Sequence, residues 1–142
     1  MLTILRLAAT DAHVLIEGAR RKADEIGVPM CIAITDESGN LIAFERMDGG
    51  KVTSITIAID KAYTAAGAKK ATHEYGEASQ PGQPAYGIGS AIGGRLMVVG
   101  GGLPITVDGA VVGGIGVSSG TPVQDRQVAQ AGIDHFLAAV AV

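Results

Sequence analysis

Aromatic side chains are scarce in this sequence, which has no tryptophan, two phenylalanines and three tyrosines among 142 residues. Aromatic packing therefore cannot supply most of a hydrophobic core, and alanine, valine, isoleucine and leucine must fill it with closely packed elements. Hydrophobic residues make up 47% of the chain and charged residues 18%, which excludes a disordered polypeptide. The length is typical of one domain, so we predict a single domain over residues 1–142.

Cysteine is nearly absent as well. Cys31 is the only one, which excludes an internal disulfide and favours a reducing compartment. The thiol falls within an apolar run, so we expect it to be buried and unreactive. The first residues do not resemble a secretory leader, because Arg6 interrupts a short apolar stretch. We therefore expect a cytoplasmic protein.

The sequence also has no long apolar run and no basic run. No stretch reaches the roughly 20 apolar residues that a membrane span requires, so we predict no membrane partner. The net charge of −3 argues against nucleic acid as a partner. His13, His73 and His135 are too far apart for a zinc motif, so we predict no metal site. With membrane, nucleic acid and metal excluded, we expect the partner to be a small molecule.

The first half of the sequence predicts two helices and a hairpin. Apolar residues at spacings of three and four from Ile4 to Ile26 predict a helix, which Gly27 ends. The apolar run 30–35 predicts a strand buried on both faces, and turn residues 36–40 connect it to a second strand over 41–46. The alanine-rich stretch 54–71 predicts a helix whose buried face is small.

The second half predicts strands separated by glycine. Residues 96–99 and 103–107 predict two strand segments on either side of three glycines, and Asp108-Gly109 predicts a tight hairpin to a strand over 110–117. Thr121, Pro122 and Gln124 predict the start of the last helix. Residues 72–87 are rich in glycine and proline, and we expect an irregular segment there.

This order of elements predicts an α+β fold. Consecutive strands that are joined by tight turns form antiparallel pairs, so we expect a mostly antiparallel sheet of about five strands flanked by helices.

Two glycine-rich segments are candidate ligand sites. Residues 113–122 form a strand, a turn and a helix start, where free amides beside the Ser118 and Ser119 hydroxyls could hold an anion. The alternative is that these residues only cap the helix and permit close packing. In the second segment, Gly101 and Gly102 indicate either a bulge at a sheet edge or the close approach of a ligand or of a partner's backbone. Arg95, just upstream, could hold a carboxylate or simply face solvent.

The remaining candidates are charged or aromatic side chains. Arg46 and Asp48 follow a buried strand and can pair with each other, although site residues also favour such strand ends. Lys61 lies among alanines, where a desolvated lysine can act as a base or nucleophile, or else reach solvent or pair with an aspartate. His73 lies in the polar segment with Tyr86, and either a solvated loop histidine or a functional one fits this position.

Five segments in fixed order give the chain a resemblance to a known family. They are PMCIAITDESGNLIAFERMDGG, IAIDKAYTAA, QPGQPAYG, VVGGGLPITVDGAVVGGIGVSSG and QDRQVAQAG. Together they resemble the GlcG/HbpS family of haem-binding or haem-degrading-type domains, which is similar to the C-terminal domain of PduO-type proteins. Gly114 and Ser119 depart from the usual GAIGVSGG pattern, and Ser119 adds a hydroxyl to the candidate anion site.

The resemblance implies a profilin-like fold, homo-oligomers that are octamers in some members, and haem binding in several. Under this haem hypothesis, His73, Tyr86 or Met47 would be the axial donor, and Arg46 or Arg95 with Ser118 and Ser119 would hold the propionates.

Two alternatives stand beside haem binding. Some relatives are similar to hydroxylaminobenzoate lyases, which release ammonia from a small aromatic carboxylate. In such an enzyme an arginine would hold the carboxylate, and Lys61, His73 or Asp125 would move protons. The second alternative is an oligomeric accessory protein without catalysis, in which glycine-rich edges and small helix faces serve subunit contact.

Overall fold

The computed structural model describes residues 1–141. Its elements, in chain order, are α1 (Ala9–Ile26), β1 (Cys31–Asp36), β2 (Leu41–Arg46), α2 (Ser54–Ala68), α3 (Thr72–Ala78), a 3-10 turn (Ile88–Ser90), α4 (Ala91–Gly94), β3 (Gly102–Val107), β4 (Ala110–Ser118) and α5 (Pro122–Val140).

The four strands form one sheet in the order β2-β1-β4-β3, and every neighbouring pair is antiparallel. Helices α1 and α5 pack against each other and cover one face, while α2 covers the other. The predicted α+β class, an antiparallel sheet flanked by helices, is confirmed. None of the helices in residues 1–141 is long and apolar enough to cross a membrane.

Strand β1 is buried over its whole length, as its apolar sequence predicts. Ile32 and Ile34 pack into the large cluster with α1 and α5, whereas Cys31 and Ala33 pack against α2. Side chains that alternate along a strand point to opposite faces, so both faces of the sheet are covered here.

Helix α2 lies very close to β4 because glycine lines the strand beneath it. A Cβ at Gly116 would overlap the carbonyl oxygen of Ala58, and one at Gly114 would overlap that of Ala62. The small buried face predicted for this helix is therefore present, and its backbone approaches the sheet more closely than larger side chains allow. This contact explains how a chain with few aromatic residues fills its core.

The predicted start of the first helix is wrong. The helix begins at Ala9, and Ile4 lies in a preceding segment without regular structure, where it is 59% exposed. The carboxylate of Asp11 accepts a hydrogen bond from the Ala8 amide at 2.7 Å, which caps the helix at this point.

Contacts to the sheet hold this N-terminal segment in place. The Leu7 amide donates to the Val112 carbonyl at 3.3 Å, and the Leu7 side chain is buried. Arg6 forms two hydrogen bonds to Glu37, at 2.5 and 2.8 Å, and its guanidinium lowers the pKa of that carboxyl to about 2. These tertiary contacts compete with the helical periodicity and prevail.

The expected strand over 96–99 does not form, so the sheet has four strands rather than about five. The Met97 amide donates to the Thr64 hydroxyl at 3.0 Å instead of to a neighbouring strand. Residues 72–78 form α3, although we expected them to be part of an irregular segment. The Thr72 hydroxyl accepts from the Gly102 amide at 2.9 Å and fixes this short helix to β3.

Two local predictions are confirmed. Asp108 and Gly109 form a two-residue hairpin turn, with φ of 51° and 80°, between β3 and β4. Helix α5 begins with a reciprocal cap: the Thr121 hydroxyl accepts from the Gln124 amide at 3.2 Å, and the Gln124 side-chain oxygen accepts from the Thr121 amide at 2.9 Å.

Candidate functional site

A buried ion pair joins α2 to α5. The Lys61 ammonium, 1% exposed, donates to Asp125 at 3.0 Å and to the Val117 carbonyl at 2.9 Å. The other carboxylate oxygen of Asp125 accepts from the Gly120 amide at 2.9 Å. Two of the predicted proton-transfer residues are thus in contact, and their charges and hydrogen bonds satisfy one another.

Burial acts on both partners of this pair. Loss of water lowers the pKa of Lys61 and raises that of Asp125, and the charge of each partner opposes these shifts. Removing one partner would leave an uncompensated charge in the core, so the pair is important for folding whatever else it does.

The glycine run separates this pair from the surface. Gly101 has a φ of 127°, and a Cβ at this position would lie 2.8 Å from the Lys61 ammonium. A Cβ at Gly102 would overlap the Thr72 side chain and the Lys61 backbone. Both glycines are buried, and the groups that approach them belong to this chain. Gly100 lies beside His73.

The candidate anion site after β4 is largely satisfied from within. The Gly120 amide donates to Asp125, as described above. The Ser118 hydroxyl donates to the Ser54 hydroxyl at 3.1 Å, and the Ser119 hydroxyl accepts from the Lys51 amide at 3.1 Å. An anion at this helix start would have to displace these contacts.

Cys31 lies nearby and is fully buried, as expected. Burial raises the pKa of its thiol, which disfavours the reactive thiolate.

The two candidate arginines lie apart from the buried pair. Arg95 pairs with Asp60 at 2.9 Å, and its guanidinium stacks 3.8 Å from the centre of the Tyr63 ring. Arg46 and Asp48 are both exposed and line a surface groove, and within residues 1–141 no ion pair joins them. Asp60 and Tyr63, the partners of Arg95, both lie in the IAIDKAYTAA segment, but sequence reasoning did not connect them with Arg95 because more than 30 positions separate them from it.

His73 lies on α3 at the side of a groove of about 420 Å³. Its Nδ1 atom is buried and has no hydrogen-bond partner in the part of the chain that the structure describes. Val98, Val99 and Pro122 give the groove apolar surface, and Glu77 and Gln80 also line it. A buried nitrogen without a partner costs free energy, so the position of this imidazole is not explained by hydrogen bonding within the described residues, and His73 is a candidate ligand contact in the groove.

Met47 and Tyr86, the other two candidates for the axial ligand, have different surroundings. The Met47 sulfur accepts a hydrogen bond from the Met30 amide at 3.4 Å, and its side chain packs against the core. Tyr86 is 70% exposed in the loop that follows α3. No cluster of three or more histidine, cysteine, aspartate or glutamate side chains that could hold a metal ion occurs within residues 1–141.

The fold and groove define a class of protein: an α+β domain whose antiparallel sheet lies between helical layers and carries a histidine-containing groove beside a short third helix. The chain belongs to the HbpS-like family, because the family model described as haem degrading protein HbpS-like matches residues 7–134. The family resemblance predicted from the sequence is confirmed.

Similar proteins match almost the whole chain. An uncharacterized 15.0 kDa protein in the dhaT-dhaS intergenic region of Citrobacter freundii is 40% identical over 94% of each chain. The crystal structure of protein ORFY from Klebsiella pneumoniae matches with a TM-score of 0.95 and 36% identity, covering 97% of this chain and 95% of that one. The crystal structure of a PduOC:haem complex matches with a TM-score of 0.88 and 35% identity, covering 92% and 95%.

Proposed function

We propose that the chain binds haem or a related tetrapyrrole in the His73 groove. The observation that carries this proposal is the position of the His73 imidazole, which lines the groove beside Val98, Val99 and Pro122. The chain itself buries Nδ1, so Nε2 is the nitrogen that a ligand would reach. Imidazole is a common axial ligand of haem iron. The similar PduOC structure, a haem complex, supports this ligand class.

The residues present fit such a group in part. Val98, Val99 and Pro122 would contact the apolar macrocycle, and His73 would supply the axial nitrogen. Haem, when bound, supplies iron-centred ligand binding or redox chemistry, whereas the protein supplies the axial donor and the apolar surface. Arg46, which we considered for the propionates, does not line this groove, and neither do Arg95, Ser118 and Ser119.

The groove is open, and its volume lies near the lower end of the range for small-molecule sites. A haem seated there would leave part of its apolar surface in water. We therefore propose that a second copy of the chain covers this surface in a homo-oligomer, as the family resemblance implies. Sedimentation of the protein with and without haemin would show whether the assembly depends on the ligand.

Haemin titration of the apo-protein tests the proposal. We expect a saturable Soret shift at about one haem per chain, and a His73→Ala variant should bind haemin about ten-fold or more weakly because the iron loses its axial nitrogen. Tyr86→Phe and Met47→Leu are matched controls and should keep the wild-type spectrum. An unchanged spectrum in His73→Ala would exclude His73 as the axial ligand. Absence of saturable haemin binding by the wild type would exclude haem binding as the function and favour the oligomeric accessory protein.

A further inference from the structure

A second cleft lies on the other side of α3 and shares no lining residue with the His73 groove. It has a volume of about 230 Å³ and lies between α2, α3 and the segment that follows α4. The rings of Tyr63 and Tyr75 line it together with the aliphatic side chains of Ile92 and Leu96. Gly67 adds no side chain, which leaves the α2 side of the cleft open.

Each tyrosine ring in this cleft carries a cation over its face. The Arg95 guanidinium lies 3.8 Å from the centre of the Tyr63 ring, and the Lys70 ammonium lies 5.3 Å from the centre of the Tyr75 ring. Asp60 neutralises Arg95. Lys70, in contrast, forms no ion pair with any carboxylate of residues 1–141, so its charge is available to an anion.

The wall of the cleft is strained. Ile92 adopts the left-handed conformation, with φ of 53° and ψ of 47°, and Gly93 and Gly94 that follow also have positive φ. This conformation is rare for a β-branched residue. Ile92 is 57% exposed, so burial in the core does not compensate for the strain. Strained backbone of this kind is concentrated at binding sites.

We propose that this cleft binds a small organic anion, a carboxylate whose apolar body is no larger than a single ring. An apolar cavity of about 150 Å³ already holds benzene, so the volume here admits one ring with its carboxylate. The two phenol rings, Ile92 and Leu96 would contact the apolar body. The Lys70 ammonium, which lies over the Tyr75 ring, would pair with the carboxylate.

Nuclear magnetic resonance of tyrosine-labelled protein, titrated with phenylacetate, tests this inference. The chain has three tyrosines, and Tyr86 lies outside the cleft, so it is an internal reference. We expect the ring signals of Tyr63 and Tyr75 to shift saturably with one dissociation constant while those of Tyr86 stay unchanged. Neutral phenylacetamide should bind several-fold more weakly, and Lys70→Gln should reduce the affinity for phenylacetate by a similar factor.

Two substitutions at Gly67 separate occupancy from folding. A Cβ at this exposed helical position meets nothing within 4 Å, so Gly67→Ala should bind phenylacetate like the wild type. Gly67→Phe places a ring in the cleft and should abolish the shifts while haemin binding, in the other groove, persists. Equal shifts at all three tyrosines, or undiminished binding by Gly67→Phe, would overturn the inference. A loss of haemin binding alone would concern the His73 groove and not this cleft.

Discussion

At the scale of single residues, the sequence identified side chains with unusual surroundings but not their partners. Lys61 was a candidate because alanines surround it, and the structure shows that it is buried against Asp125, which lies 64 positions away on α5. Arg95 was a candidate carboxylate ligand, and it pairs with Asp60 of its own chain. In both cases the partner is distant in sequence, so periodicity and composition could not reveal it.

The Lys61–Asp125 pair gives a prediction about stability. Lys61→Met leaves the Asp125 carboxylate buried without a counter-charge and should lower the free energy of unfolding by about 3–5 kcal/mol. The double variant Lys61→Met/Asp125→Leu removes both charges and should be much less destabilised than either single variant. Urea denaturation of the four proteins measures this double-mutant cycle. Additive effects would show that the two side chains do not interact as the structure describes.

At the scale of elements, local signals were reliable where the hydrogen-bond partner is a near neighbour in the sequence. The Thr121–Gln124 cap and the turn at Asp108 and Gly109 were predicted and are present, because each depends on residues at most three positions apart. The start of α1, the irregular segment that became α3 and the missing fifth strand were predicted wrongly. Each of these depends on a contact across the fold, such as that of Thr72 with Gly102.

The contact between α2 and β4 gives a prediction that is tested on the strand, with a control on the helix. Gly116→Ala introduces a Cβ that overlaps the Ala58 carbonyl, and it should lower the free energy of unfolding by about 1–3 kcal/mol or more. Gly67→Ala adds the same atom where nothing lies within 4 Å, and it should raise stability by up to about 1 kcal/mol through helix propensity. Thermal or urea denaturation compares the two. Similar stabilities for both variants would contradict the close packing described for this helix.

At the scale of the whole molecule, α3 separates two clefts of different chemistry. His73 lies at the groove with valine and proline walls, and Tyr75, two residues further, lies at the cleft with a second tyrosine. The family match and the structures with TM-scores of 0.95 and 0.88 concern the fold that carries both clefts. If the groove binds haem and the cleft a small anion, as proposed, both could be occupied at the same time because they share no lining residue.

Haemin and phenylacetate should bind to the two clefts independently. Because the clefts share no lining residue, saturation with haemin should leave the dissociation constant for phenylacetate within about two-fold of its value in the apo-protein, a change too small to indicate coupling between sites. The same holds for haemin when phenylacetate is present. The Tyr75 ring signal reports one ligand and the Soret band the other. Competition between the two would show that they use one site, or that α3 moves when either binds.

The α+β class, the antiparallel hairpins, the small buried face of α2 and the family could be predicted from the sequence, because they depend on periodicity, turn chemistry and an ordered set of motifs. Which candidate residues contact each other became known from the three-dimensional fold alone. It placed Asp125 against Lys61, satisfied the amide of Gly120 from within, and left His73 beside an open groove. The physical reason is that burial, charge compensation and hydrogen-bond satisfaction belong to neighbours in space, and a pattern along the chain carries no record of them.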